Sequence, residues 1–271
     1  FKLYNRKDVF SLHTIKDAKK VVIKVGTSTL AHKTGMLNIR RIENLVKVLA
    51  DLQNSGRQII LVSSGAIGMG SGKLGLKERP QDTPTKQACA SIGQCELMYV
   101  YDKLFSQYNH CVSQILLTRD IIENEKRTSN VINTMNRLIS LNVIPIVNEN
   151  DSVSVEEIEF GDNDTLSAIV SKLADAEALV ILTDIDGLYD KDPRTHSDAS
   201  LIPVVETIDE KIESLAEGKG STLGTGGMIT KIQAARMATQ ADIPVHIVNG
   251  SDPTVLYDLF EGKQIGTVFP V

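Results

Sequence analysis

Residues 20–30, KVVIKVGTSTL, and residues 58–68, QIILVSSGAIG, decide the fold. Each is a run of β-branched and aliphatic residues that passes directly into glycine and small hydroxylated residues. A strand buried on both faces reads as a continuous apolar run, which marks a parallel sheet covered by helices. Between the two runs, residues 38–54 carry Ile39, Ile42, Leu45, Val46, Leu49 and Leu52 at helical spacing, and Gly56 follows as a C-terminal stop. Downstream, residues 111–117, 143–147, 179–182 and 245–248 read as strands. Residues 85–108, 119–140, 164–174, 208–216, 229–239 and 253–260 read as helices. A glycine-rich loop is expected after Ser63, and 154–160 alternates weakly enough to suggest a projecting hairpin. The pattern predicts an α/β three-layer sandwich with an open, mostly parallel central sheet. Residues 20–271 form the expected domain, and residues 1–19 form an extension with no assigned role.

The chain of 271 residues is 42% hydrophobic and carries a formal net charge of −5. No basic block provides the positive footprint of a nucleic-acid partner, and the chain has no Trp for stacking. No apolar run approaches the roughly 18 residues of a membrane span. Cys89, Cys95 and Cys111 lie in no CxxC pair and at no metal-ligand spacing from a histidine, so they read as buried structural thiols of a cytoplasmic protein.

In an open parallel sheet, ligands gather at the carboxyl ends of the strands. The residues found there are Gly26-Thr27-Ser28, Ser63-Ser64-Gly65, Asn148-Glu149-Asn150-Asp151 and Thr183-Asp184. Glycine turns at Gly26, Gly65 and Gly224-Thr225-Gly226-Gly227 can cradle phosphate with backbone amides, or can simply turn the chain. No GxxxxGK[ST] motif is present. Gly70-Ser71-Gly72-Lys73-Leu74-Gly75 matches GxGxxG but lies too far beyond its strand to serve as a dinucleotide fingerprint. Lys24, inside an apolar strand, must be paired, solvated by a cleft, engaged with an anion or snorkelling from an edge strand. Lys231, near a helix N-terminus, opposes the macrodipole unless an anion shares the site. Of Asp162, Asn163 and Asp164, one can be a helix N-cap. The acidic clusters lack EF-hand spacing, so no protein-held metal is expected.

VVIKVGTSTL, LVSSGAIGMG, IPIVNENDSV, GDNDTLSA, ILTDIDGLYDKDPR and LGTGGMITK, in that order, resemble the amino acid kinase family, and its glutamate-phosphorylating branch most closely. The resemblance spans about residues 20–269. It implies ATP at one lobe and L-glutamate at the other, with the product γ-glutamyl phosphate made in the first step of proline synthesis by direct in-line transfer. It implies Lys24 and Lys231 on the phosphates and Asp164 orienting both. Ser64, Asp151, Asp162 and Asn163 would hold glutamate. Gly26, Thr183, Asp184, Thr225, Gly226, Gly227, Met228, Ile229 and Thr230 would line the nucleotide site beside the two lysines. The same likeness implies Mg2+ brought with ATP, a homo-oligomer, proline as feedback inhibitor and handover to a glutamyl phosphate reductase. It further leads us to expect the family form without an added C-terminal domain of RNA-binding type. Other acceptors within the family, such as aspartate, N-acetylglutamate, carbamate or UMP, are the alternatives, with a non-catalytic ligand sensor as a reading of another class. An acidic pocket suits a free amino group and disfavours an acetylated one.

Overall fold

The computed structural model describes residues 15–32, 36–78, 80–118, 121, 123–153, 163–216 and 227–271. The strands are β1 (Lys20–Val25), β2 (Gln58–Ser63), β3 (Val112–Leu117), β4 (Ile144–Glu149), β5 (Ala178–Thr183), β6 (Val245–Asn249) and β7 (Thr267–Phe269). They form one seven-stranded sheet in the order β3-β4-β2-β1-β5-β6-β7. Every neighbouring pair is parallel except β6 with β7. The helices among the described residues are α1 (Thr27–Leu30), α2 (Ile39–Asn54), α3 (Ala66–Lys73), α4 (Thr83–Ser106), α5 (Glu125–Ser140), α6 (Asn163–Leu173), α7 (Glu210–Ala216), α8 (Met228–Thr239) and α9 (Val255–Phe260).

Alternation along the strands divides the core in two. Val21, Ile23 and Val25 of β1 pack with Leu45 and Leu49 of α2, Leu97 and Phe105 of α4, and Leu259 of α9. Val22 faces the opposite layer, with Met135 of α5, Leu166 and Val170 of α6, and Ile232 and Ala235 of α8. A period of two therefore sends Lys24 toward α6 and α8. β1 lies between β2 and β5, in register with Lys24 opposite Val62 on one side and Ile181 on the other. An edge-strand lysine snorkelling to water is thereby excluded.

Three sequence expectations are corrected. The glycine-rich loop after β2 is helix α3, which begins at Ala66. Its glycines serve packing, since a Cβ on Gly70 would lie 1.9 Å from the carbonyl oxygen of Cys89, and one on Gly93 1.7 Å from that of Ala66. Side-chain-free positions let α3 and α4 touch backbone to backbone, which accounts for the first glycine of the GxGxxG match. The helix expected from residue 119 starts at Glu125, where the Asn124 side chain accepts from Arg127 N. Of the cysteines only Cys89 is buried; Cys95, on the outer face of α4, and Cys111, before edge strand β3, are exposed free thiols. The proposed hairpin at 154–160 lies outside the described residues. No helix among the described residues is long and apolar enough to cross a membrane.

Candidate active site

The carboxyl ends of β1, β2, β4 and β5 share one edge of the sheet, where the helices following β1 and β2 begin. α1 opens at Gly26 and α3 at Gly65, neither with a side-chain cap. Gly65 has φ +107, a conformation that L side chains rarely adopt. A Cβ on Gly68 would come within 3.7 Å of Thr27 Cγ2, so the openings of α1 and α3 sit side by side. α8 likewise starts at Gly227 without a side-chain cap. Uncapped amide ends present N–H groups and partial positive charge to this edge, where an anion can satisfy them.

Beneath these turns lies a buried charge cluster. Lys24 Nζ is 2.6 Å from Asp164 Oδ1, and Lys231 Nζ is 2.9 Å from Asp164 Oδ2. Thr230 Oγ1 donates to the same Oδ2 at 2.9 Å and lies 2.8 Å from the carbonyl oxygen of Gly227. Lys231 also reaches Gly227 O at 3.4 Å. Asp164 is fully buried, and both lysines are 6% exposed. The helix periods explain the convergence: Asp164 is in the first turn of α6 and Lys231 in the first turn of α8, and these helices pack together on the face that Lys24 points to. Asp164 therefore binds both lysines with its two oxygens. Two ammonium groups and one carboxylate leave the cluster one positive charge in excess, suited to a polyanion at the sheet edge.

A second, uncharged cluster adjoins it. Asn163 Nδ2 lies 3.2 Å from Ser63 O, 2.9 Å from Ser64 Oγ and 2.8 Å from Asn148 Oδ1. Ser64 N donates to Val25 O at 3.1 Å, joining the ends of β2 and β1. Ser63 Oγ bonds the hydroxyl of Tyr101 at 2.9 Å, and burial pushes that phenol far above its ordinary pKa, so it stays neutral. Asp151 sits half-buried in the turn after β4, which is tied down by Asn150 N donating to Leu117 O and by the Ser152–Ser91 hydroxyl contact at 2.8 Å.

On the other side of β1, Thr183 ends β5 and donates to Asp184 Oδ1 at 3.3 Å, while Arg194 lies 3.6 Å from Asp184 Oδ2. Thr183 is buried, whereas Asp184 is exposed. Among the residues named from sequence, the structure brings Lys24, Asp164, Thr230 and Lys231 into one cluster, and Ser64 and Asn163 into its neighbour. Gly26, Thr183, Asp184 and the start of α8 (Gly227, Met228 and Ile229) line the same edge. Asp162, Thr225 and Gly226 lie outside the described residues. Sequence reading missed Gln94 and Tyr101, and placed Asn148 at the strand end without giving it a role. Asn148 carried the available signal, being the first polar residue to interrupt the apolar run of β4; Gln94 and Tyr101, inside a long helix, gave none.

The amino acid kinase family model matches residues 19–249. Curated relatives include the glutamate 5-kinase of Clostridium perfringens, 51% identical over 259 residues, covering 94% of this chain and 96% of the relative. That of Clostridium tetani is 53% identical over 266 residues, covering 98% of each. Among solved structures, UMP kinase from Bacillus anthracis superposes with a TM-score of 0.64 at 15% identity, covering 93% of this chain and 96% of that one. Isopentenyl phosphate kinase from T. acidophilum gives 0.63 at 18% identity, covering 93% and 100%. At such identities the structures speak for a shared fold alone.

Proposed function

The chain belongs to the amino acid kinase family and, within it, to the glutamate 5-kinases, and from that premise we propose how its residues carry ATP-dependent phosphorylation of the γ-carboxylate of L-glutamate. The observation that carries the mechanism is Asp164 held between Lys24 and Lys231. A carboxylate with an ordinary pKa of about 4.3 is already ionised at neutral pH, so the acceptor needs no general base. The chemical demand is alignment of the reacting oxygens and neutralisation of the equatorial oxygens of the moving group.

The nucleotide lies across the openings of α1 and α8 and along Thr183 and Asp184. Because both oxygens of Asp164 are taken by lysines, the buried cluster is built to neutralise phosphate rather than to ligate a cation. Magnesium accordingly enters as MgATP, part of the substrate. Lys24 and Lys231 contact the β- and γ-phosphate oxygens, with Asp164 keeping both ammonium groups on the transfer axis. Glutamate binds at Ser64 and Asn163, and Asp151 and Asp162 supply negative charge for its ammonium. A γ-carboxylate oxygen forms a bond to the γ-phosphorus as the bond to the β–γ bridging oxygen breaks. The products are ADP and γ-glutamyl phosphate, an acyl phosphate suited to immediate consumption by a reductase in proline biosynthesis.

The test is ADP release with MgATP over a panel of acceptors, with hydroxylamine present to convert an acyl phosphate into a hydroxamate. L-Glutamate should give ADP and hydroxamate together. Turnover confined to aspartate, N-acetylglutamate, UMP or isopentenyl phosphate would overturn the assignment.

A further inference from the structure

We infer that Gln94 is a positioning residue for the amino-acid acceptor, acting through Asn148 on the amide of Asn163; this rests on the reading above that Ser64 and Asn163 hold glutamate. Gln94, on α4, is 8% exposed and Asn148, on β4, 2%. Asn148 Nδ2 donates to Gln94 Oε1 at 2.9 Å. The orientation of each asparagine is fixed by a backbone group whose role is unambiguous. Asn148 Oδ1 accepts from Glu149 N at 2.9 Å, which forces its Nδ2 toward Gln94. Asn163 lies 3.2 Å from the carbonyl oxygen of Ser63, which demands its Nδ2 there, and that same nitrogen meets Asn148 Oδ1. The chain of amides therefore has one polarity, running from Asn163 through Asn148 to the Gln94 carbonyl.

The polarity has a consequence at the ligand. With Nδ2 committed to protein oxygens, Asn163 has only its Oδ1 to offer, an acceptor matched to an ammonium. Ser64 Oγ lies 2.9 Å from the same Nδ2, whose two hydrogens are shared among three oxygens, and has its own O–H to give to a carboxylate. Gln94 supplies the far anchor: without its carbonyl, the buried Asn148 Nδ2 loses its acceptor, and the Asn148 side chain must shift off its bond to Asn163 to find another. The other end of Gln94 argues that the carbonyl is what matters, since its buried Nε2 finds no acceptor among the described residues. An apolar residue of the same length would fill the space without burying that donor, at a lower desolvation cost.

Gln94→Met keeps the length and removes the acceptor. Its KM for L-glutamate should rise about tenfold, with kcat and the KM for ATP within about twofold of the parent. Glutarate, which lacks the amino group, separates positioning from general distortion: its inhibition constant should stay unchanged. Gln94→Glu keeps an acceptor oxygen in place and should restore the glutamate KM to within about threefold. If Gln94→Met does not fold, Gln94→Ala is read on the same constants, and either folded variant with an unaltered glutamate KM refutes the inference. Equal losses for glutamate and glutarate would also refute it, as that is the signature of a merely structural role. Ser64→Ala serves as the control on the premise. If it leaves the glutamate KM unmoved, the acceptor site itself is misplaced; if it raises KM while Gln94→Met does not, only the role of Gln94 falls.

Discussion

Lys24, Asp164 and Lys231 are the residues on which stability and chemistry meet. A carboxylate holding two ammonium groups inside the protein cannot be removed quietly, because the lysines are then buried without a counter-charge. Asp164→Asn is expected to cost about 3–5 kcal/mol, read as a lower urea midpoint at an unchanged slope. Millimolar ATP should recover part of that loss, since its phosphates replace the missing negative charge. Lys231→Ala should lower kcat about 10²–10³-fold with little change in the glutamate KM, because the ammonium matters most when charge develops on the moving group. Steady-state rates over both substrates check this, and an unaltered kcat would make Lys231 structural. Both lysines could be picked out in sequence as charges in the wrong place, one in an apolar strand and one at a helix start. Their common partner could not, because periodicity carries no information about residues 67 positions apart, as Asp164 and Lys231 are; only the family resemblance pointed to it.

At the scale of elements, the interior parallel strands were legible to within a residue or two because burial on both faces leaves a near-continuous apolar signature. α3 was not, since AIGMGSGK has three glycines in eight residues and intrinsic propensity argues against a helix. Tertiary packing overrides that preference, as α3 lies on α4 at backbone contact. Gly93→Ala should therefore destabilise the protein by about 1–3 kcal/mol in chemical denaturation. Gly68→Ala, whose Cβ meets only ordinary van der Waals distances, should be neutral or stabilising by up to about 1 kcal/mol. β7 escaped notice as a three-residue antiparallel edge strand, too short for any period to register. The start of α4 offers a pH test. Hydrogen bonds from Thr85 hold the carboxyl of Asp82 below the usual carboxylate range. A depressed native pKa means the cap stabilises above the ordinary value and is lost as pH falls through the native one. The Tm advantage of the parent over Asp82→Ala should thus be present at neutral pH and vanish in acid.

For the whole molecule, one arrangement serves two ends. The central strand β1 carries Lys24 to the point where the strand order reverses, with β2 to β4 on one side and β5 to β7 on the other, the place where open α/β sheets bind ligands. The Ser64–Asn163 cluster and the Asp151 turn lie on the β2–β4 side, and Thr183 and Asp184 on the β5 side, so the proposed acceptor and nucleotide sites flank the lysines on opposite sides. The architecture was readable from the alternation of buried runs and helical periods. The acceptor was legible only through the family resemblance, because Ser64, Asn148 and Asn163 come together only through contacts between distant elements. The claim that the γ-carboxylate itself takes the phosphoryl group is tested by L-glutamate labelled with 18O in both γ-carboxylate oxygens, turned over with unlabelled ATP in the presence of hydroxylamine. Attack of the carboxylate on phosphorus followed by hydroxylaminolysis predicts one 18O in each inorganic phosphate released. Phosphate free of label, formed with glutamate present, would mean that water takes the phosphoryl group and would contradict the account.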